Sequence, residues 1–222
     1  MTEVVVVPTP HGDARLHRDR SRHPVATLLL GHGAGGGVDA RDLVALAEAL
    51  PRQGISVVRV EQPWRVAGRR IAPRPEVLDA CFVAAANRLR VRTPLVVGGR
   101  SAGARSAART ARELGASGCL ALSFPLHPPG RPEMSRLDEL TAVGVPTLVV
   151  QGERDAFGRP DEFPPDREMA VVPGADHGFH VPRRGAVTPE EAMAIVVEAV
   201  LEWVVRAVVG AGVPPRGNQI PG

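Results

Sequence analysis

A serine stands between two glycines in the pentapeptide Gly99-Arg100-Ser101-Ala102-Gly103. The apolar run PLVVG precedes it, as expected of a buried strand, and a run with helical composition follows. A serine on such a strand–turn–helix adopts a strained backbone that lifts its hydroxyl clear of the sheet, and flanking glycines permit the close backbone contacts. The motif predicts Ser101 as a nucleophile on an elbow formed with Gly99 and Gly103. A capping serine at an ordinary turn is the alternative.

A serine hydroxyl needs a neighbouring base to act as a nucleophile, and that base needs a carboxylate to orient it. Downstream, Asp155 follows the apolar run TLVVQ and His177 follows EMAVV, each in a short loop. The order Ser, Asp, His, with each residue after a strand, is the order found in α/β hydrolases. We therefore predict a triad of Ser101, Asp155 and His177, with Glu153 as the alternative acid and His180 as the alternative base.

A glycine-rich run, GHGAGGG at residues 31–37, follows the apolar run ATLLL. In α/β hydrolases the loop at this place supplies one backbone N–H group of the oxyanion hole, and the residue after the nucleophile supplies the other. The predicted oxyanion-hole residues are Ala102 and either Gly33 or Ala34. His32 is a second alternative for the base, although histidines in such loops more often brace the loop through hydrogen bonds.

The same run has a competing interpretation as a dinucleotide fingerprint. Gly31, Gly33 and Gly36 fit the pattern G-x-G-x-x-G, but Glu61 is the only candidate for a ribose-binding carboxylate. The match is weak, so no cofactor is expected. The cysteine, histidine and acidic residues form no cluster with metal-ligand spacing, so no metal is expected either.

Apolar runs alternate with helical patterns along the chain, which predicts an α/β fold with a mostly parallel central sheet of about seven to eight strands and helices on both faces. The predicted strands are 4–7, 26–30, 56–60, 94–98, 119–123, 147–151 and 168–172, with 13–20 as a weaker edge strand. The predicted helices are 40–52, 76–90, 102–114 and 188–208, the last capped by Thr188. We expect a single domain over residues 1–209 and a disordered tail over 210–222.

The composition argues against several classes of function. The 27 basic residues, all arginine, nearly balance 24 acidic ones, and no aromatic residues interleave with the arginine pairs, so no nucleic-acid partner is expected. No apolar run approaches the roughly 20 residues of a membrane span. The short apolar run after Glu3 has no basic leader, which predicts a cytoplasmic protein without a signal peptide. Cys81 and Cys119 lie in apolar stretches and are expected to be buried free thiols. No pattern specifies an oligomeric state.

Together, the glycine loop, the elbow and the acid and histidine loops resemble the α/β-hydrolase superfamily over residues 4–208. Residues 124–132 and 146–158 are similar to a narrower branch of small hydrolases with a minimal cap, which includes the testis-expressed protein 30 group and a subunit of the NSL acetyltransferase complex. That branch is distantly similar to dienelactone hydrolases. The resemblance implies a serine hydrolase acting on a carboxylic ester or thioester. Dienelactone hydrolases use a cysteine where this chain has Ser101, so their lactone chemistry is not implied.

Residues 124–140 form the one insertion after the serine's strand that is long enough to overhang the site. So short a rim favours small or extended acyl substrates over long lipid chains, and the expected partner is a small-molecule acyl substrate. The candidate pocket residues are His32, Trp64, Leu126, His127, Phe157 and Phe179. Two other functions stay open: a non-catalytic interaction or scaffold protein that keeps the fold, and a peptidase or acyltransferase that uses the same triad.

Overall fold

The computed structural model describes residues 2–210, and their eight strands form one sheet. The strands are β1 (Glu3–Thr9), β2 (Gly12–Asp19), β3 (Ala26–Gly31), β4 (Ile55–Glu61), β5 (Leu95–Arg100), β6 (Gly118–Leu122), β7 (Thr147–Gly152) and β8 (Met169–Val172). Their order across the sheet is β1-β2-β4-β3-β5-β6-β7-β8. β2 pairs antiparallel with β1 and with β4, and all other neighbouring pairs are parallel.

Helices cover the sheet on both faces. They are α1 (Arg41–Ala49), α2 (Pro63–Val66), α3 (Pro75–Asn87), α4 (Ala102–Thr110), α5 (Leu137–Thr141) and α6 (Pro189–Trp203), with a π-helical turn continuing α6 over Val204–Val209 and 3-10 turns at Leu50–Gln53 and Pro160–Glu162. Helices α3, α4 and α5 enclose one apolar core, and α1 and α6 enclose the other.

The central strands are apolar throughout because both of their faces are covered. In β3 all six residues are buried, and alternate side chains enter opposite cores: Leu29 lies in the core under α3 and α4, whereas Leu28 and Leu30 lie in the core under α1 and α6. This double burial holds the carboxyl end of β3 firmly against its neighbours.

The predicted fold class is confirmed, and each predicted strand matches an observed one to within about two residues at either end. One position in the sheet was wrong. Residues 13–20 were expected at an edge, but β2 is bonded on both sides, and its Ala14 and Leu16 are fully buried. The edge strand on this side of the sheet is β1, whose Val4 and Val6 face outward with more than half of their surface exposed.

The four predicted helices form, and each α-helix ends a few residues earlier than predicted. α4 stops at Thr110, and α1 gives way to a 3-10 turn at Leu50. The short helices α2 and α5 were not predicted, because four or five residues are too few to show a helical period. Both cysteines are buried and free, as expected. Most of the predicted disordered tail lies outside the described residues, since only Gly210 of 210–222 is described.

The predicted cap at the start of α6 is present, and its contribution to stability can be measured. Thr188 Oγ1 accepts a hydrogen bond from the Glu191 N–H at 3.2 Å, and the Glu191 carboxylate accepts one from the Thr188 N–H at 2.7 Å. We expect Thr188→Ala to lower the free energy of unfolding by about 1 kcal/mol, because two amides at the start of α6 lose or loosen their acceptors. Urea denaturation followed by circular dichroism measures this. Thr188→Ser keeps the hydroxyl and should stay near wild type; an equal loss in both variants would show that the methyl group, not the cap, matters.

Candidate active site

Four loops meet at one edge of the sheet because they follow the carboxyl ends of neighbouring parallel strands. The glycine run follows β3, Ser101 follows β5, and the loops carrying Asp155 and His177 follow β7 and β8. β3 and β5 are adjacent, as are β7 and β8. The sheet thus brings together residues that lie far apart in the sequence.

Ser101 has the strained backbone that its motif predicts, with φ +52° and ψ −112°. Its N–H donates to the Leu122 carbonyl of β6 at 3.0 Å, which anchors the turn to the sheet. A Cβ atom on Gly99 would lie 2.5 Å from the Gly31 carbonyl oxygen, and one on Gly103 only 2.3 Å from it. Real Cβ atoms do not approach backbone oxygens so closely. Glycine at both positions is therefore a steric requirement of the elbow.

The three side chains predicted as a triad form a continuous series of hydrogen bonds. His177 Nε2 lies 3.0 Å from Ser101 Oγ, and His177 Nδ1 lies 2.8 Å from Asp155 Oδ2. The Asp155 carboxylate is fully buried. It also accepts hydrogen bonds from the Gln151 side-chain amide at 2.9 Å and from the Phe157 N–H at 2.8 Å. With its acceptor Asp155 on one side, His177 carries its proton on Nδ1 and presents Nε2 to the serine hydroxyl.

The alternative acid and base are placed differently. Glu153 is exposed and accepts a hydrogen bond from the Gly174 N–H at 2.6 Å. It therefore joins the loop that carries Asp155 to the turn between β8 and His177. The His180 side chain is 68% exposed and pairs with Asp176 at 3.3 Å. Within residues 2–210, neither side chain makes a hydrogen bond to Ser101 or to the two residues bonded to it in series. The geometry therefore favours Asp155 as the acid and His177 as the base.

The His177 loop is held by two contacts that the sequence motifs did not predict, one with an aromatic ring and one with a charged side chain. The Phe157 ring stacks on the imidazole of His177, with ring centroids 4.2 Å apart. The Arg100 guanidinium donates to the His177 carbonyl at 2.7 Å, and its Nε lies 3.2 Å from the Asp42 carboxylate. Arg100 therefore ties the histidine loop to the elbow and to α1.

Asp42 is unusual because its carboxylate is fully buried on the inner face of α1. Burial raises the pKa of Asp42, while the Arg100 guanidinium acts in the opposite direction by favouring the charged form. A signal for this residue was present in the sequence. Asp42 lies four residues before Leu46 and so falls on the apolar stripe of its helix, where an unpaired carboxylate would be unfavourable.

The predicted oxyanion-hole residues lie beside the nucleophile. A Cβ atom on Gly33 would be 3.5 Å from Ser101 Cβ, so the glycine loop passes directly against the serine. Ala102 is the first residue of α4, where an amide has no carbonyl acceptor within its own helix. Donors to a negative charge that develops next to Ser101 would have to lie in this neighbourhood, so the predicted assignment is compatible with the structure.

His32 is committed to the structure of the glycine loop. Its ring is buried, Nε2 accepts a hydrogen bond from the Gln62 N–H at 3.2 Å, and Nδ1 lies 2.9 Å from the Gly33 carbonyl. Since Nε2 is an acceptor, the proton sits on Nδ1 and is donated to Gly33. Both nitrogens are occupied, which supports the bracing role and leaves His32 no free nitrogen to serve as a base.

The remaining candidate pocket residues have mixed outcomes. Trp64 packs against His32, with ring centroids 5.6 Å apart, and lines cavities on the glycine-loop side. His127 is hydrogen-bonded to Glu162 at 2.8 Å, which joins the predicted rim, residues 124–140, to the 3-10 turn at Pro160–Glu162. Leu126 and Phe179 were also predicted to line the pocket, but they pack into the two apolar cores and line neither of the cavities beside Trp64. In Phe179 a positive φ of 54° directs the side chain inward, under α6.

Comparison with known proteins agrees with this geometry. A protein-family profile described as an alpha/beta hydrolase domain matches residues 24–205, so the chain belongs to this family of α/β hydrolases. The superfamily resemblance read from the motifs is confirmed, whereas the narrower likeness to the testis-expressed protein 30 group stays a prediction. A search of curated proteins finds no match to this chain.

Several solved structures share the fold. A lidless α/β serine hydrolase from Xanthomonas campestris is 20% identical, with 91% of this chain and 94% of that chain covered and a TM-score of 0.72. A dienelactone hydrolase from Anabaena variabilis is 17% identical, with coverages of 94% and 98% and a TM-score of 0.72. The esterase domain of a Rhodothermus marinus protein is 16% identical, with coverages of 94% and 100% and a TM-score of 0.67. At these identities the likeness concerns the fold.

The described residues show two further absences. No helix within residues 2–210 is long and apolar enough to cross a membrane. In the same range, no three His, Cys, Asp or Glu side chains form a group that could hold a metal ion. The cytoplasmic location stays a prediction.

The protonation of His32 gives a pH-dependent prediction. Burial lowers the pKa of His32 below its ordinary value of 6.5. At a pH between the lowered pKa and 6.5, the unfolded chain therefore binds a proton at this ring that the folded chain does not. Stability from this group is therefore complete above pH 6.5 and is lost as the pH falls through the lowered pKa. We expect the free energy of unfolding to fall less between pH 7.5 and pH 5.5 in His32→Gln than in wild type, measured by urea denaturation. The exposed His23→Gln serves as the control; if it flattens the profile equally, the effect does not come from the buried ring.

Proposed function

We propose that this protein is a serine hydrolase that cleaves a carboxylic ester or thioester by way of an acyl-enzyme. The observation that carries the proposal is the unbroken hydrogen-bond series from Asp155 through His177 to Ser101, at 2.8 and 3.0 Å. A protein that uses the fold only for interactions has no physical need to align these three groups around a strained serine.

In the first half of the reaction, Ser101 Oγ attacks the carbonyl carbon of the substrate and forms a new C–O bond, while its proton passes to His177 Nε2. Asp155 stabilises the imidazolium through the hydrogen bond to Nδ1. The carbonyl electrons move onto oxygen, and the amides of Ala102 and of Gly33 or Ala34 donate to that oxyanion. The bond to the leaving oxygen or sulfur then breaks as His177 returns its proton to the leaving group.

The second half repeats these steps with water. His177 Nε2 takes a proton from water, the resulting hydroxide equivalent attacks the acyl carbon, and the same amides stabilise the second oxyanion. The bond between the acyl carbon and Ser101 Oγ breaks, and His177 returns the proton to the serine. The acid product leaves, and Ser101 and neutral His177 are restored.

Other observations support an esterase-like substrate class. The family is that of α/β hydrolases, and solved structures with this fold include a lidless serine hydrolase and an esterase domain. The predicted rim, residues 124–140, is a short segment tied down by the hydrogen bond between His127 and Glu162, and so short a rim would suit a small-molecule acyl substrate. We keep the likeness to the testis-expressed protein 30 branch as part of the proposal. Ser101 stands where dienelactone hydrolases have cysteine, so we do not extend lactone hydrolysis to this chain.

The triad assignment predicts a specific pattern of lost activity. We expect native protein to react with a fluorophosphonate probe and to hydrolyse p-nitrophenyl acetate. Ser101→Ala should abolish labelling and lower kcat/KM by about 10⁴-fold or more, and Asp155→Asn should lower it by roughly 10³ to 10⁴-fold. Labelling is read on a gel and hydrolysis by absorbance of nitrophenolate.

Matched controls come from the two rejected alternatives. Glu153→Gln and His180→Gln should keep kcat/KM within about twofold of wild type, because neither side chain contacts Ser101 or His177. If native protein fails to label, or Ser101→Ala labels equally, the catalytic proposal is wrong and a scaffold role becomes the better explanation. Turnover of peptides or acyl transfer to an added alcohol, in place of ester hydrolysis, would keep the triad and replace the substrate class.

A further inference from the structure

His127 differs from the other histidines whose rings are hydrogen-bonded at both nitrogens. Within residues 2–210 those others are His32 and His177. Nε2 of His32 accepts from the Gln62 N–H, and Nε2 of His177 faces a serine hydroxyl that can donate, so one ring N–H is enough for each. Both partners of the His127 ring, in contrast, are oxygen atoms that only accept.

The two acceptors of the His127 ring are a backbone carbonyl and a carboxylate. Nδ1 lies 2.9 Å from the Pro128 carbonyl oxygen, and Nε2 lies 2.8 Å from Glu162 Oε2. The other oxygen of Glu162 accepts the Arg159 N–H at 2.7 Å, and this hydrogen bond lowers the pKa of Glu162, which is therefore ionised at neutral pH. Two acceptors require two N–H donors, so both bonds exist together only when the His127 ring is an imidazolium.

The charged surroundings of the ring agree with this geometry. The hydrogen bond to the Pro128 carbonyl raises the pKa of His127, and the Glu162 carboxylate acts in the same direction. Burial of the side chain, which is 8% exposed, and the positive charge of Arg136 act in the opposite direction. Arg136 is directed at another group, since its guanidinium donates to the Pro125 carbonyl at 2.9 Å. The net effect is a pKa above the ordinary value of 6.5.

The backbone of His127 contacts the residue that stacks on the proposed base. The His127 N–H donates to the Phe157 carbonyl at 2.9 Å. The Phe157 N–H donates to Asp155 Oδ1 at 2.8 Å, and the Phe157 ring lies on His177 with the ring centroids 4.2 Å apart. Phe157 therefore contacts the acid, the base and the predicted rim at once, and its position depends on that of His127.

We infer that His127 and Glu162 form a proton-dependent clasp, which ties the predicted rim to the segment after β7 and so keeps Phe157 stacked on His177. When the imidazolium of His127 loses a proton, the ring keeps a single N–H and can donate only one of its two hydrogen bonds. The bond to Glu162 also loses its charge assistance. The clasp follows from the contacts of His127, whereas its effect on turnover rests on the proposed function.

An NMR titration of the histidine rings tests the clasp without any assay of activity. We expect the ring whose signal is missing in His127→Gln to titrate above pH 6.5. Glu162→Gln keeps a side-chain oxygen near the ring but removes the charge, and it should move this titration to lower pH. Glu48→Gln, an exposed position on α1, should leave it unchanged. A His127 ring that titrates at or below pH 6.5, or that ignores Glu162→Gln, would overturn the clasp.

The stability profile gives a second measurement. Because the pKa of His127 is raised in the folded state, its contribution is complete below pH 6.5 and is lost as the pH rises through the raised pKa. We expect His127→Gln to lower the free energy of unfolding more at pH 5.5 than at pH 9, measured by urea denaturation. The exposed His11→Gln should show no such difference. An equal loss at both pH values in His127→Gln would contradict the clasp.

Hydrolysis of p-nitrophenyl acetate measures the effect of the clasp on the base. We expect wild type to exceed His127→Gln in kcat/KM by about fivefold at pH 6 and by less than about twofold at pH 8.5, with the change in kcat rather than in KM. A ratio that stays constant with pH would show that the clasp does not act on His177. If the protein hydrolyses no ester while His127 titrates above pH 6.5, the clasp is retained and the proposed reaction is wrong.

Discussion

The close contact between the backbones of Gly31 and Gly103 determines how the rest of the site is arranged. Gly31 ends β3 and pairs in register with Gly99 of β5, and Gly103 is the second residue of the helix that follows β5. At this crossing any side chain on Gly99 or Gly103 would overlap the Gly31 carbonyl. Because the crossing is so tight, the glycine loop passes beside Ser101, and amides that follow two different strands can serve the same oxygen.

A second constraint is the set of buried polar side chains around that crossing. Asp155, Asp42 and His32 are all buried. Asp155 and His32 are each held by hydrogen bonds to several neighbours, whereas Asp42 pairs with the Arg100 guanidinium. Burying a carboxylate costs desolvation energy even when it is paired, so Asp155 and Asp42 are there at some cost to stability. What they provide is order: Asp155 orients His177 from one side, and Arg100, held by Asp42, holds the main chain of His177 from the other. The base is thus fixed by its ring and by its backbone.

The sequence predicted the parts of this site that depend on local order and failed on those that depend on packing. The strands, the elbow and the succession Ser101, Asp155, His177 follow from apolar periodicity and from the rule that functional loops follow strand ends. The interior position of β2 could not be predicted. A mostly polar strand with two buried residues shows the same sequence pattern whether it is the edge strand or the strand next to it. Leu126 and Phe179 were misplaced for a related reason, since a loop residue near the site in sequence can point either way. Arg100 was overlooked because its position in the motif accepts any residue, and only the fold shows that Arg100 is the partner of the buried Asp42.

The triad and the segment that braces the glycine loop come from different parts of this sheet. The triad comes from the ends of β5, β7 and β8, whereas Gln62 and Trp64, which contact His32, lie in the segment after β4. That segment is mostly irregular, so its side chains can change without disturbing a ladder of strand hydrogen bonds. The link between the two parts is narrow: His32 accepts from the Gln62 backbone and packs on Trp64 while donating to Gly33. Changes in the segment after β4 that disturb this link would therefore displace Gly33, one of the proposed oxyanion donors.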